Sequence, residues 1–332
     1  MWLWHPCPVT SPARSRPLLR ALLLLAGLLA LSITVPAAAS TRSCSRVLLL
    51  SAYPAEIRAN LALLHQDKAQ PQRIAGHAFY SGTLEGHRVV LALTGIGMNH
   101  ARATTTTALA RFSCLTAVAF SGTAGGKNAA GLGDVVVPDR WTANNGKSFQ
   151  HVQARLLSQA RAVVRRVSLE TVSAVNVGPC SCDALGGLHA VPLPRTPHVI
   201  VGGAGTSYDL SAESACTPGG GALQGCDPCP PSTTPALPVP SGLSTQDYAQ
   251  LLAPGVQPPM TRSTTASPYL LEDEETAAVM GVATAHHLPF LGFRGISDTD
   301  LPDMTWVAEY LVYQQLAADN AAAMARAWLS TQ

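Results

Sequence analysis

Glu56, Thr94 and the pair Ser297-Asp298 each stand where an apolar run gives way to polar sequence, and Glu274-Glu275 opens the stretch leading into the last of those runs. Carboxyl groups give and take protons once their surroundings retune them, so several at strand ends form a candidate acid–base site. In open α/β sheets, ligands bind in the crevice outside the carboxyl ends of the strands, which is where these residues are expected. Each also has an ordinary structural explanation. Glu274 or Glu275 would serve as a dipole partner in the first turn of a helix. Asp298 would serve as an N-cap, and Glu56 as part of a solvated helix face.

The elements that must position them read as alternating strands and helices. Arg46 to Ser51 is a short buried strand, followed by a turn at Tyr53-Pro54 and a helix from about Ala55. His77 to Gly82 and His87 to Thr94 form a hairpin pattern around Leu84-Glu85-Gly86. A helix follows from Asn99 to Arg111, then a strand from Ala117 to Ser121 that ends in the small-residue run Gly122 to Gly126. Asp134 to Pro138 and His198 to Val201 are further strands, and Ser148 to Val167 has helical spacing. Glu272 to His287 reads as a helix, Pro289 to Ile296 as a strand and Thr305 to Leu329 as a long amphipathic helix covering the sheet. Alternation of this kind predicts a three-layer α/β/α sandwich around a twisted, mixed but mostly parallel sheet. Roughly residues 212–268, rich in Cys, Pro and Gly, read as a surface insertion stapled by disulfides.

Only 13% of residues are charged and the formal net charge is +2, which argues against nucleic acid or an anionic membrane surface as partner. Aromatic residues, at 5%, are too few for a platform that stacks single strands. Arg14, Arg16 and Arg20 precede the apolar run Ala21 to Val35, and Pro36 to Ser40 supplies small residues. This is the pattern of a signal peptide, residues 1–39, cleaved near Ala39, and it predicts a secreted or periplasmic domain over residues 40–332. The run is short for a spanning helix, so no membrane attachment is expected after cleavage. Seven cysteines follow the leader, and in an exported chain disulfides are the expectation. The odd number leaves one thiol over, for which Cys114, in an apolar stretch, is the candidate. Cys180, Cys182, Cys226 and Cys229 offer four thiolates for zinc, but the first pair is spaced too closely for the usual knuckle. No metal or cofactor is expected.

Glu275 to Asp298 (ETAAVMGVATAHHLPFLGFRGISD) resembles, without a gap, the segment of the purine nucleoside phosphorylase/uridine phosphorylase superfamily that runs from its ribose-binding Glu to Arg-x-[Ile/Leu]-Ser-Asp. Leu50 to Glu56 (LSAYPAE) resembles the first-strand loop of methylthioadenosine/S-adenosylhomocysteine nucleosidases, which ends in their catalytic Glu. Thr94-Gly95-Ile96-Gly97 is similar to their [Ser/Thr]-Gly-[Ile/Leu]-Gly turn. Ser121 to Gly126 with Gly133 to Pro138 is similar to their Gly-rich block and GDVV signature. Leu193 to Pro197 and Gly95 to Met98 are also similar to the exported bark or vegetative storage branch. The resemblance covers about Val47 to Trp328 apart from the insertion. It implies cleavage of the N-glycosidic bond of a purine nucleoside. Asp298 would be the acid that protonates N7 of the leaving base, oriented by Ser297 and needing a dry pocket to raise its pKa. Glu275 would hold the ribose hydroxyls and stabilise the cationic sugar, and Glu56 would take the proton of the attacking water. Thr94 and Arg294 would help place that water, Gly122 to Gly126 would let the backbone approach the nucleoside, and Gly95, Ala124 and Gly125 would belong to the substrate-binding set.

A phosphorylase needs cations to grip phosphate, and its branch places Gly and Arg where this chain has Tyr53-Pro54-Ala55-Glu56. A carboxylate there favours water over phosphate, and Arg58 is turned away from Glu56 by the helix. Two departures bear on substrate. Glu274 replaces the family's Met before the ribose-binding Glu, adding a second carboxylate. Thr206 and Ser207 stand where nucleosidases carry the aromatic that stacks on the base, with Tyr208 adjacent. The leading reading is therefore a hydrolytic nucleosidase. The alternatives are a phosphate-dependent phosphorylase, or an exported nucleoside-binding, storage-like protein without turnover. The resemblance also implies a homo-oligomer.

Overall fold

Arg46–Ser51, strand β1, is apolar on both faces, and every residue after Arg46 in it is buried. A strand of that kind belongs inside a parallel sheet. The computed structural model describes residues 44–143, 146–176, 188–208, 236–238, 268–299 and 305–332. After β1 come helix α1 (Pro54–Ala62), the hairpin β2 (His77–Leu84) and β3 (His87–Leu93), and helix α2 (Met98–Arg111). The hairpin turns on Glu85 and Gly86, both at positive φ, the conformation a two-residue loop needs to match strand twist. Then follow β4 (Leu115–Gly126), β5 (Val135–Val137), β6 (Arg140–Thr142), α3 (Ala154–Val163), β7 (Val199–Val201) and β8 (Ala204–Ser207). The chain ends through β9 (Leu271–Asp273), α4 (Thr276–Ala285), β10 (Phe290–Thr299) and α5 (Thr305–Leu329).

The sheet runs β2-β3-β1-β4-β9-β8-β6, with β10 pairing both β4 and β5, and β5 pairing β7. β1 is parallel to β3 and β4, β10 is parallel to β4, and β8 is parallel to β6 and β9. The β2–β3, β4–β9 and β5–β10 pairs are antiparallel, so the sheet is mixed and mostly parallel, as expected. Helices α1 and α5 pack together, as do α2 and α4, giving the layers of the sandwich. The apolar core gathers Val47 to Leu50, Val89 to Leu93, Val118 to Phe120 and Phe290 to Phe293. Helix α5 reaches β10 closely because Gly295 has no side chain: a Cβ there would run into the Ala317 carbonyl.

Four local expectations are corrected. The glycine run does not end a strand: β4 continues to Gly126, because β10 pairs it through Thr299 and β9 pairs Gly125 and Gly126. Tertiary pairing overrides the weak strand preference of glycine here. The stretch read as a helix from Glu272 begins instead with β9, and the helix starts at Thr276. Ser297 and Asp298 lie within β10 and do not follow it. Cys114 is not free but bonded to Cys44. The two cysteines stand just before β4 and β1, whose parallel pairing begins at Arg46 and Leu115, and this sets their Cα atoms 5.4 Å apart. The four cysteines considered for zinc lie outside the described residues, as does the leader. So does the 212–268 insertion, save for a strand at Ala236–Pro238 and for Pro268. That strand joins Val172–Asn176 and Leu188–Pro192 in a small separate sheet. Among the described residues no helix is long and apolar enough to cross a membrane.

Candidate active site

Glu56 enters the fold from the first turn of α1, three residues past the Tyr53 N-cap, and no side chain caps this helix. Its own carboxylate reaches back instead. One oxygen accepts the Ala52 N–H at 2.6 Å, and the other accepts the Thr123 N–H at 2.6 Å and the Thr123 hydroxyl at 3.2 Å. A Cβ on Gly122 would collide with this carboxyl, so the first glycine of the block makes room for an acid from a neighbouring element. Glu56 is 0% exposed, far from a solvated helix face. Burial raises its pKa, against the pull of Arg294 and of the Thr123 and Ala52 N–H groups.

Glu275 is held from the other side. It is the N-cap residue of α4, and its carboxylate accepts the Gly97 N–H at 3.1 Å and approaches Nη2 of Arg294 at 3.5 Å. Gly97 precedes α2 with φ of 102°, a conformation open to glycine that aims its N–H into the site. Burial pushes the Glu275 carboxyl well above its usual range. Arg294 opposes the shift, while Asp273 and Glu56 add to it. Glu274 is only half-buried, and its neighbour Glu275 is the one that meets Arg294 and Gly97.

Arg294, 2% exposed in β10, sits between the acids. Its Nε lies 3.3 Å from Asp273, and its Nη2 lies 3.5 Å from Glu275 and 4.0 Å from Glu56. Nη2 also donates to the Thr123 carbonyl, and the guanidinium stacks over Phe120 at 4.9 Å. Burial alone would lower its pKa, but Asp273, Glu56 and Glu275 more than offset that and keep it a cation. Its Nη1 is buried without an acceptor among the described residues.

Asp298 follows a β-bulge. Ile296 pairs with Ala124 and Asp298 with Gly125, leaving Ser297 as the extra residue that re-aims the strand. The Ser297 hydroxyl lies within bonding distance of the Asp298 carboxylate, at 2.8 Å, and of the Ala124 carbonyl, at 3.4 Å. Gly125 pairs with both Asp298 and Glu272, so β9 and β10 flank β4 there. Asp298 is 4% exposed and shares a neighbour with the other two acids: Tyr310 of α5 feels the charges of Glu56, Asp298 and Glu275 together.

The remaining expected residues divide. The Thr94 hydroxyl is spent on backbone, donating to the Gly95 carbonyl at 2.7 Å, and Gly95 turns with φ of 84°. Ser207 donates to Asp273 and accepts the Ala277 N–H at 2.9 Å, so it ties β8 to the start of α4. Thr206 is buried, and its hydroxyl has no partner among the described residues. Tyr208 is half-buried, its N–H on the Asp273 carbonyl at 3.0 Å. Sequence reasoning missed Asp273, whose carboxylate accepts from Ser207, from the Thr276 hydroxyl and from the N–H groups of Glu275 (3.3 Å) and Thr276 (3.2 Å). The signal was an Asp three residues before the true helix start, a capping pattern hidden by placing the helix too early. Tyr310 and the hydroxyl of Tyr53, which hydrogen-bond to each other, carried no sequence signal. Among the described residues no group of three or more His, Cys, Asp or Glu side chains could hold a metal ion.

This geometry can be set beside known proteins. The profile of the phosphorylase superfamily matches residues 46–179. An uncharacterized protein of Mycobacterium tuberculosis is 38% identical over 224 residues, which span 63% of this chain and 90% of that one. A 5'-methylthioadenosine/S-adenosylhomocysteine nucleosidase of Mycobacterium bovis is 44% identical over 73 residues, 22% of this chain and 28% of its own. Among solved structures, the nucleosidase of that name from Neisseria meningitidis, in complex with methylthio-immucillin-A, aligns with a TM-score of 0.55 at 17% identity. The alignment covers 87% of this chain and all of that one. Futalosine hydrolase of Helicobacter pylori aligns with a TM-score of 0.56 at 15% identity, over 87% of this chain and 99% of its own.

Proposed function

We propose that this chain, which belongs to the phosphorylase superfamily, hydrolyses the N-glycosidic bond of a purine nucleoside of the methylthioadenosine kind and releases the free base. The observation that carries the proposal is the charge balance around Glu56. Arg294 faces Glu56, Asp273 and Glu275 at 3.3 to 4.0 Å, and Arg58, the next cation along α1, is committed to Asp319 at 3.0 Å. A phosphate placed beside Glu56 would meet like charge, with Arg294 already shared among three acids. A water would meet a buried carboxylate to take its proton and the buried, unsatisfied Nη1 of Arg294 to hold its oxygen.

In this reading Glu56 takes a proton from water as the oxygen attacks the anomeric carbon. Glu275 accepts hydrogen bonds from the ribose hydroxyls and stabilises the positive charge that builds on the sugar. Asp298, held by Ser297, gives its proton to N7 of the departing base. Asp273 and Ser207 position the cluster without touching substrate. The Cys44–Cys114 disulfide supports the companion proposal that the chain works in an oxidising compartment outside the cytoplasm. Incubation with methylthioadenosine, adenosine and inosine, with and without phosphate, tests the reading. Free base released without phosphate is the expected result. Release that depends on phosphate would make the chain a phosphorylase, and ligand-induced melting shifts without product would make it a binding protein.

A further inference from the structure

Hydrolysis leaves Glu56 with one proton too many and Asp298 with one too few, while both products depart neutral. Glu56 is 0% exposed, and the water it meets in the hydrolytic reading is consumed as the nucleophile. Glu56 is, however, the end of a chain of hydroxyls. The Thr123 hydroxyl lies 3.2 Å from Glu56, the Tyr53 hydroxyl 2.8 Å from that of Thr123, and Tyr53 hydrogen-bonds to Tyr310. Tyr310 is half-buried and lies within the electrostatic reach of Asp298. The neighbouring acids are held differently: Glu275 is bonded to a backbone N–H and to Arg294, and Asp273 to its capping donors.

We propose that Thr123, Tyr53 and Tyr310 form a proton relay that empties Glu56 after each turnover and returns the proton to Asp298. The inference rests on the hydrolytic reading above. The O–H bond of protonated Glu56 breaks as the proton passes to the Thr123 oxygen. Thr123 passes its own proton to Tyr53, Tyr53 to Tyr310, and Tyr310 to Asp298 through the solvent water that fills the place of the departed base. One proton enters the chain and one leaves, and rotation of the three hydroxyls restores its direction. Burial keeps both phenols neutral, as members of such a relay must be.

The test compares the first turnover with later ones on the full chain, using methylthioadenosine, rapid quenching and the variants Tyr310→Phe, Tyr53→Phe, Thr123→Val and Thr123→Ser. The relay requires first-turnover rates within about twofold of the parent for Tyr310→Phe, with later turnovers slowed about tenfold or more. A burst of free base should appear, and imidazole buffer should restore the steady rate by carrying the proton instead. Thr123→Ser keeps the hydroxyl and should behave as the parent, Tyr53→Phe should behave as Tyr310→Phe, and Thr123→Val, which also removes a hydrogen bond to Glu56, should slow later turnovers more than the first. Unchanged steady turnover in Tyr310→Phe would overturn the relay. So would an equal loss in first and later turnovers, since that reports a disturbed site. If the parent releases no base at all, the hydrolytic reading itself fails and the relay falls with it, an outcome distinct from the other two.

Discussion

Replacing Gly122 with alanine should uncouple Glu56 from the sheet. The new methyl would occupy the volume of the Glu56 carboxyl, which must then leave the Ala52 and Thr123 N–H groups that it now meets at 2.6 Å each. A hydrogen bond to a charged group contributes about 1.5–3 kcal/mol, and a buried donor left unpaired adds to the loss. Gly122→Ala should therefore cost about 3–5 kcal/mol, although alanine in a strand is ordinarily favoured over glycine by roughly 0.5–1 kcal/mol. Against a total stability of roughly 5–15 kcal/mol, the variant should still unfold in a measurable transition. The cycle with Glu56→Ala supplies the control: there the methyl enters vacated space, and the same substitution should cost less than about 1 kcal/mol. Urea unfolding at neutral pH, followed through the fluorescence of the buried Trp141 and Trp328, measures all four proteins. Equal costs in the two backgrounds would refute the claim that position 122 is glycine for the sake of Glu56.

Arg294→Met should cost about 3–5 kcal/mol, the usual result of stranding buried carboxylates. Its deficit should shrink as pH falls and the acids protonate, and a deficit independent of pH would count against the cluster. Glu275 is raised in the folded state, so the stability it contributes is complete below the unfolded glutamate pKa of about 4.3 and is lost as pH rises through the folded value. Glu275→Gln should therefore gain stability relative to the parent as pH rises, while losing turnover; a constant difference across pH would show that Glu275 titrates normally. Asp298→Asn should abolish base release yet keep ligand-induced melting shifts, and retained turnover would remove Asp298 from its role. Breaking the Cys44–Cys114 bond with paired serines opens a loop with a sequence separation of 70, which loop entropy values at about 4 kcal/mol. A thermal midpoint unchanged in the serine pair would contradict that.

Much of the fold was legible because its strands are bounded by strong local signals. β1, β3 and the first half of β4 are apolar runs, and the Glu85-Gly86 hairpin carries its turn residues in view. What failed were positions where a distant partner decides. The glycine block looks like a strand terminator until β9 and β10 pair with it. Cys114 looks like a buried thiol until the parallel register of β1 and β4 places Cys44 beside it. Glu56, Glu275, Asp298 and Arg294 could be named in advance as chemically apt residues. Asp273 could not, because its role as cap and as Arg294 partner depends on a helix beginning at Thr276 and on β10 lying alongside. A pairing that exists only in three dimensions leaves no periodicity to read.

The way the acids are held bears on the choice of nucleophile. Glu56 and Glu275 are each fixed by backbone N–H groups, from Ala52, Thr123 and Gly97, and the arginine between them is shared. Backbone donors hold a carboxyl group in place without supplying a full positive charge, so three carboxyl groups share one guanidinium. Such a field suits a reaction that builds a cation on a sugar and removes a proton from water. It opposes the entry of an anion, which would meet three carboxyl groups around that one guanidinium. A site evolved for phosphate needs the reverse arrangement, with cations uncommitted and carboxylates turned away. The difference is measurable as inhibition. Inorganic phosphate and sulfate should fail to compete with nucleoside at millimolar concentration in the parent protein, and Glu56→Gln, by removing one charge beside Arg294, should make them detectable competitors. Strong phosphate competition in the parent would show that the charge argument misjudges the pocket.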